Sequence, residues 1–381
     1  MSFETASEAD LIEQYPTLGR ETWLNHAAIS PWPRVVIEAL ERFVADNASH
    51  GPRGYRDWLK VENELRDGLA ALLGHVDSDE IALVENTSAG LNLVAGGLDW
   101  RAGDRVVIPS GEFPSNRLPW IALRSKGIDV VEIDLPREDP ETALTAALTD
   151  RTRVLSVSAV RYDDGTRLDL ERLGRACRRH GTLLCVDAIQ QVGAFPLDPV
   201  GAGVDFLACG AHKWLLCPEG IGFFWARADA MEQLQTSRQG WRSCPKPFDF
   251  DKADWQPAAG ARRFEIGTLN MAGIHALNAS VTLILDTGPD RIARALGERV
   301  DHLYRSLKAI DGVEIGTPAD PRRRAGIISF SHARRASTEI LRRLAGEGVH
   351  AAVRGSHLRL SPHFYTPMEA LDRTIELIAD L

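Results

Sequence analysis

Short apolar runs alternate with longer amphipathic segments along the first 225 residues of the chain. Unbroken apolar runs predict strands that are buried on both faces, and here they lie at 81–84, 105–108, 130–133, 154–157, 183–186, 206–208 and 221–225. Helical patterns over 86–97, 115–126 and 169–180 separate several of them. Strands that alternate with helices predict an α/β fold with a mostly parallel, seven-stranded sheet between helices.

The pattern changes at residue 271. Beyond it the sequence predicts long amphipathic helices and short strands, at 273–286, 290–310, 327–330 and 358–360. We therefore expect a large domain over 16–270 and a smaller C-terminal α+β domain over 271–381, with residues 1–15 packing on the smaller domain.

Composition and charge exclude several classes of protein. The chain is 44% apolar and 25% charged, as in ordinary globular proteins, and its net charge of −9 argues against a general nucleic-acid binder. No apolar run approaches the ~18 residues that a membrane span needs. The first 14 residues contain four acids and no base, which is unlike a secretory signal or a transit peptide. We expect a cytoplasmic protein without membrane or nucleic-acid partners.

The five cysteines predict neither a metal site nor a disulfide framework. They form no C-x-x-C pair and their number is odd. Cys185 and Cys209 lie inside apolar runs, where cysteine usually acts as a small buried hydrophobe. No cysteine follows Cys244.

The segment from Leu183 to Trp214 carries the strongest chemical signal. One apolar run ends in Asp187, and the next ends close to Lys213, twenty-six residues later. Pyridoxal phosphate (PLP) chemistry needs a lysine that forms a Schiff base with the cofactor aldehyde and a carboxylate that keeps the pyridine nitrogen protonated. Taken singly, Asp187 is better explained as a turn residue and Lys213 as a surface lysine. Together, at this spacing, they favour a cofactor site.

Three further segments precede predicted helices: NTSAG at 86–90, GEFPSN at 111–116 and GTLN at 267–270. The first and third offer hydroxyls and backbone N–H groups to an anion such as a phosphate, although each also fits an ordinary helix cap. Phe113 of the second segment can stack on a planar cofactor or pack into the core.

Near the C-terminus, Arg354 and Arg359 flank a short strand, and a guanidinium can bind a substrate carboxylate through two parallel hydrogen bonds. The alternative for each arginine is a surface ion pair.

The motifs VDAIQ (186–190), GAHKW (210–214) and RLSPHFY (359–365) resemble those of class V aminotransferase-type enzymes of PLP fold type I. This family includes cysteine desulfurases, selenocysteine lyases, kynureninases and isopenicillin N epimerase-like proteins. The resemblance covers almost the whole chain, from WLNHAA at 23–28 onward. It implies a homodimer with a shared active site and a small-molecule amino-acid substrate.

The resemblance also implies a role for each candidate residue. It implies that the catalytic pair is Lys213, which would form the Schiff base, and Asp187, which would meet the pyridine nitrogen. The other implied cofactor contacts are Gln190 on the phenolic oxygen, Phe113 on the ring, and Thr87, Ser88 and His212 on the phosphate, with Thr268 reaching the phosphate from a second subunit. Arg359 would bind the substrate carboxylate, and Arg354 and His26 are further candidates for substrate binding.

Three differences separate the chain from the desulfurase branch. Desulfurases carry a serine where this chain has Gly210, and commonly an asparagine where it has Ala159. They also bear a nucleophilic cysteine on a loop between the two C-terminal arginines, whereas only four residues without a thiol separate Arg354 from Arg359 here. Because persulfide transfer requires a thiolate nucleophile, conventional desulfurase activity is disfavoured.

We therefore expect a PLP enzyme that acts on the Cα or Cβ bond of an α-amino acid. The residues leave transamination and β-elimination, such as carbon–sulfur cleavage, equally open, with epimerisation behind them. A nucleotide-binding oxidoreductase would need G-x-G-x-x-G after an early strand, and no such motif follows the predicted strands. A non-catalytic relative that only binds a partner is the remaining alternative, and the intact pair Lys213 and Asp187 argues against it.

Overall fold

The computed structural model describes residues 7–251 and 256–380, in which the β-strands form three sheets. In chain order the strands are β1 Thr22–Trp23, β2 Ile81–Val84, β3 Arg105–Pro109, β4 Asp129–Ile133, β5 Thr152–Ser158, β6 Leu183–Asp187, β7 Phe206–Gly210, β8 Gly222–Ala226, β9 Val313–Ile315, β10 Ile328–His332, β11 Val349–His350, β12 Ala352–Arg354 and β13 His357–Leu360.

The α-helices of the described residues cover both faces of the largest sheet and one side of the C-terminal sheet. They are α1 Glu8–Gln14, α2 Arg34–His50, α3 Tyr55–Leu72, α4 Thr87–Gly97, α5 Leu118–Ala122, α6 Pro140–Ala146, α7 Leu170–His180, α8 Pro199–Ala202, α9 Ala228–Met231, α10 Met271–Thr287, α11 Pro289–Lys308, α12 Ser337–Gly346 and α13 Met368–Ala379. None of these helices is long and apolar enough to cross a membrane.

The large sheet has seven strands in the order β2-β8-β7-β6-β5-β3-β4. The five strands from β7 to β4 are parallel, and β8 runs antiparallel to both of its neighbours. The sequence prediction of a mostly parallel seven-stranded sheet is confirmed, and its apolar runs are the seven strands to within two residues. Since β2 and β7 both run opposite to β8, the carboxyl ends of all strands except β8 lie at one edge of the sheet.

Alternating residues of each central strand enter two different cores. Leu184 and Val186 of β6 pack in one hydrophobic cluster, and Leu183 and Cys185 pack in the other. This is the consequence of the two-residue period of a strand when helices cover both faces of the sheet. It explains why these strands read as unbroken apolar runs.

The sequence predicts one continuous helix over 115–126, and this prediction is wrong. The chain instead forms a 3₁₀ turn at Pro114–Asn116, the short helix α5, and a second 3₁₀ turn at Leu123–Lys126. Pro114 and Pro119 lack the N–H groups that a continuous helix would use, so the segment divides there. The long helices α2 and α3 were absent from the sequence predictions.

The C-terminal part of the chain contains the four-stranded antiparallel sheet β12-β13-β10-β9 and a third hydrophobic core. Leu24 joins this core, and β1 pairs with β11, so the segment after α1 packs on the C-terminal lobe. Helix α10 packs on α2 and α3, and its buried face belongs to a core of the large sheet. The domain division at residue 271 stays a prediction.

Candidate active site

Asp187 and Lys213 lie side by side at the carboxyl edge of the large sheet. Asp187 is the last residue of β6, and Lys213 follows the end of β7 by three residues. Because β6 and β7 are parallel neighbours, their carboxyl ends adjoin. Both side chains are buried. Ligands of open α/β sheets bind at this edge, so the fold brings the predicted pair together where a ligand is expected.

The two charges influence each other without forming an ion pair within the described residues. Burial lowers the pKa of Lys213 to about 8, against the attraction of Asp187, while Arg359 and Arg354 lower it further. Burial raises the pKa of Asp187 to about 6, opposed by a hydrogen bond from the Ile189 N–H and by Lys213. Two buried ionisable groups with shifted pKa values at one place are typical of functional sites.

Phe113 lines the open side of the site. The residue is 41% exposed, and the Lys213 Nζ lies 5.6 Å from the centroid of its ring. Tyr162 contacts the same ring edge-on, with 5.3 Å between the centroids. A partly exposed aromatic face beside the lysine amine is a suitable stacking surface for a planar ring.

The start of α4 lies against the strand that leads to Lys213. Asn86 caps the helix by accepting the Ala89 N–H at 2.9 Å, and the Thr87 Oγ1 accepts the Gly210 N–H at 2.9 Å. A Cβ at Gly210 would lie 3.3 Å from that oxygen and 3.4 Å from the His212 ring, so glycine permits this close approach. The structure therefore brings Thr87 and His212 together at a helix N-terminus, which favours anions.

Ser88 and Gln190 are fixed by polar contacts. The Ser88 hydroxyl donates to the Ser115 hydroxyl at 2.7 Å, which ties α4 to the turn after Phe113. Gln190 donates its amide to the Ala27 carbonyl at 3.0 Å and accepts the indole N–H of Trp214 at 2.8 Å. Since an amide nitrogen has two hydrogens, Gln190 keeps one donor for a ligand.

His26 is buried, and protein atoms engage both of its ring nitrogens. Its Nδ1 lies 2.9 Å from the Ser361 carbonyl, and its Nε2 lies 2.8 Å from the Tyr365 hydroxyl. Burial lowers the pKa of His26 to about 4, so the ring is neutral at neutral pH. In this structure His26 joins the N-terminal segment to the C-terminal lobe, and its role in substrate binding stays a prediction.

Arg359 has donors in the interior that no protein group accepts. Its side chain is 1% exposed, its Nη1 donates to the Tyr162 carbonyl at 2.6 Å, and its Nε and Nη2 have no partner in the described residues. Burial, and then the charge of Arg354, lowers the pKa of Arg359 to about 9. Unpaired buried donors are costly, so these donors suit an anionic ligand.

Thr268 lies in the loop before α10, where it lines a cavity with Glu85, Ala89 and Gly220. Its predicted contact belongs to a second subunit, and that contact stays a prediction.

Sequence reasoning missed Glu112 and Tyr162. The buried Glu112 carboxylate accepts the backbone N–H and the hydroxyl of Ser158, at 2.7 and 2.5 Å, and Ser158 pairs in register with Asp187. Burial raises the pKa of Glu112 to about 7. An acid directly before the candidate stacking aromatic was a visible signal for Glu112. Tyr162 gave none, because its place beside Phe113 and Arg359 depends on tertiary structure.

These residues fit PLP. Lys213 offers an amine for covalent attachment, Asp187 a carboxylate for the ring nitrogen, and Phe113 a face for the ring. Thr87 at the start of α4 and His212 after β7 would hold the phosphate. The unpaired donors of Arg359 are of the type that binds a carboxylate, and the role of Arg359 in substrate binding stays a prediction.

Comparisons with known proteins point to the same chemistry. The sequence profile of the family described as Aminotransferase class-V matches residues 22–371. A probable cysteine desulfurase of Methanothermobacter thermautotrophicus strain Delta H is 32% identical, with 98% of each chain covered. Isopenicillin N epimerase of Streptomyces clavuligerus is 30% identical, with 93% of each chain covered.

Among solved structures, the chain resembles the cystine C–S lyase C-DES in complex with its reaction product cysteine persulfide. The TM-score is 0.89 at 25% identity, over 97% of this chain and 100% of that chain. A C-DES variant with glycine covalently linked to its PLP cofactor gives a TM-score of 0.90 at 25% identity, over 97% of this chain and 99% of that one. The chain belongs to the class V aminotransferase family and is a PLP-dependent enzyme of fold type I.

Proposed function

We propose that the chain cleaves the carbon–sulfur bond of an S-substituted cysteine by β-elimination. The observation that carries this proposal is the hairpin of β12 and β13, whose turn consists of Gly355 and Ser356 alone. No cysteine lies there to accept sulfur from the substrate. The likeness to the cystine C–S lyase supports the proposal, because its named product is cysteine persulfide, a small molecule.

The proposed reaction balances with water as the co-reactant. The substrate R–S–CH₂–CH(NH₃⁺)–COO⁻ and H₂O give R–SH, pyruvate and NH₄⁺. The Cα–H and Cβ–S bonds break, and the electron pair of the Cβ–S bond leaves with sulfur, which takes up a proton. PLP, when bound, supplies the electron sink that makes the Cα proton acidic.

Each protein group has one task in this proposal. Arg359 binds the α-carboxylate through the donors that have no protein partner. The Nζ of Lys213 accepts the Cα proton, for which a pKa near neutrality suits a general base. Asp187 holds a proton on the pyridine nitrogen. Phe113, which Tyr162 contacts edge-on beside Lys213, stacks on the cofactor ring.

Transamination is the second candidate, since the family profile carries that name and an uncharacterised aminotransferase of Bacillus subtilis is 29% identical over 97% of this chain. A panel of α-amino acids that includes S-substituted cysteines distinguishes the two. Elimination releases pyruvate and ammonia from the S-substituted compounds without an added acceptor. Transamination yields a 2-oxo acid that keeps the β-substituent, and turns over only with a second 2-oxo acid. If the 2-oxo acid that keeps the β-substituent is the only product, transamination replaces our proposal.

We predict that L-cysteine binds the holoenzyme and shifts its visible spectrum but yields neither alanine nor a protein persulfide. Four of the five cysteines are buried, and burial raises the pKa of Cys177 to about 12 and that of Cys217 well above the ordinary value, which makes these thiols poor nucleophiles. Intact-protein mass spectrometry after incubation with cysteine, with a parallel alanine assay, tests this. A persulfide on Cys217 or Cys244 with catalytic release of alanine would make the chain a desulfurase.

We also propose that the enzyme is a homodimer in which Thr268 completes the phosphate site of the neighbouring subunit. We expect sedimentation of the holoenzyme at micromolar concentration to give the dimer mass, and Thr268→Ala to weaken PLP retention without changing that mass. A holoenzyme that sediments only as monomer would contradict the shared site and remove Thr268 from it.

A further inference from the structure

Arg354 and Arg359 project from the same face of the C-terminal hairpin. Ala352 of β12 pairs directly with Arg359 of β13, and Arg354 lies two residues beyond Ala352 on the same strand. Directly paired residues share a face of a sheet, and so do residues two apart. The two arginines are therefore diagonal neighbours, roughly 7–8 Å apart at their backbones. Leu358, on the opposite face, packs in the C-terminal core.

Neither guanidinium has an anionic partner among residues 7–251 and 256–380. Arg359 donates to the Tyr162 carbonyl, and Arg354 donates to the carbonyl of Val353 at 2.9 Å. The carboxylate that acts on Arg359, Asp163, is already bonded to Arg161 at 2.7 Å. Two unneutralised arginines thus lie within electrostatic range of each other and of Lys213.

One α-carboxylate accounts for one of these charges. The phosphate of PLP does not account for the other, because its candidate site follows β2 and β7. Arg359 is instead bonded to Tyr162, which follows β5, and Arg354 is the diagonal neighbour of Arg359 on the hairpin. In the sheet, β5 and β2 lie on opposite sides of β7, which leads to Lys213. Arg354 therefore lies on the side of Lys213 away from the candidate phosphate site, and within the described residues no anion meets its charge.

We propose that Arg354 binds an anionic group on the departing sulfur fragment, so that the preferred substrates are S-substituted cysteines with a distal carboxylate. The inference rests on the proposed carbon–sulfur elimination. Arg359 and Arg354 then hold the substrate at its two ends, with the Cα–H and the Cβ–S bond between them. A guanidinium suits this task because its planar donors match the two oxygens of a carboxylate.

The test uses two substrates of nearly the same shape, one anionic and one neutral at the distal group: S-carboxymethyl-L-cysteine and its amide, S-carbamoylmethyl-L-cysteine. For the wild-type holoenzyme we expect the acid to have the higher kcat/KM and the tighter binding, the latter measured as a shift of the visible spectrum. We expect Arg354→Gln to reduce the acid-over-amide ratio about tenfold or more, as for the loss of a charge-assisted hydrogen bond. Arg354→Lys, which keeps the charge, should retain part of the preference.

Arg343→Gln is the matched control, because this exposed arginine lies on α12 of the same lobe. It should leave the ratio at the wild-type value. A wild-type enzyme without acid preference, or an Arg354→Gln variant that keeps the preference, would overturn the subsite while elimination itself stands. If neither compound binds or loses its substituent, the proposed elimination fails together with the subsite.

Discussion

Lys213→Ala will abolish covalent attachment of PLP and reduce turnover by at least ~10³-fold, since it removes both the attachment point and the proposed general base. Lys213 can fill both roles because it is buried just after β7, where a pKa of about 8 leaves part of its amine neutral near physiological pH. Borohydride reduction of the wild-type protein, followed by peptide mass mapping, should place the pyridoxyl group on Lys213. The visible absorption band of the wild-type holoenzyme should disappear in the variant.

Lys126→Ala is the matched control for this experiment, because its side chain is exposed at the end of a 3₁₀ turn outside the site. The control should keep the absorption band, the labelled peptide and the turnover of the wild type. Label on any lysine other than Lys213 would mean that the buried pair at the ends of β6 and β7 has another role.

The large sheet and the edge that carries Asp187 and Lys213 were predictable because their signals are local. Each central strand is buried on both faces and reads as a continuous apolar run, and the polar residue that ends such a run stands out, as Asp187 does. Once parallel strands are predicted, the meeting of Asp187 and Lys213 follows from topology. The helix cap at Asn86 and the pair Arg354 and Arg359 were likewise recognisable from the residues beside them.

Contacts between distant segments were not predictable in this way. Tyr162 reaches the site because its carbonyl accepts a hydrogen bond from Arg359, almost two hundred residues later in the chain. His26 illustrates the opposite case, since its motif suggested substrate binding while the fold engages both ring nitrogens with Ser361 and Tyr365. A local sequence pattern does not show which distant residue a side chain will bond to. That hydrogen-bond partner decides what the side chain can do.

Asp187→Ala will reduce turnover by ~10² or more while PLP still binds, as expected when a preorganised charge at the reacting centre is lost. Lys213 and the residues at the start of α4 remain to hold the cofactor. Asp187→Asn separates charge from packing, because its amide oxygen can still accept the Ile189 N–H that the carboxylate now accepts. Both variants should retain the borohydride label on Lys213, and both should lose turnover to a similar degree.

The buried charge of Asp187 lowers the stability of the cofactor-free protein. Burial raises the pKa of Asp187 from 3.8 to about 6, so the ionised carboxyl is less favourable in the folded chain than in the unfolded one. A group of this kind lowers the free energy of unfolding as the pH rises through the window from about 4 to 6. Cofactor-free Asp187→Asn should therefore melt at a higher temperature than the wild type at pH 8, and the difference should shrink towards pH 5.

Near wild-type turnover in Asp187→Ala or Asp187→Asn would show that another group, such as the neighbouring Glu112, meets the pyridine nitrogen. Equal melting temperatures at pH 8 would show that the buried carboxylate is stabilised by partners other than PLP.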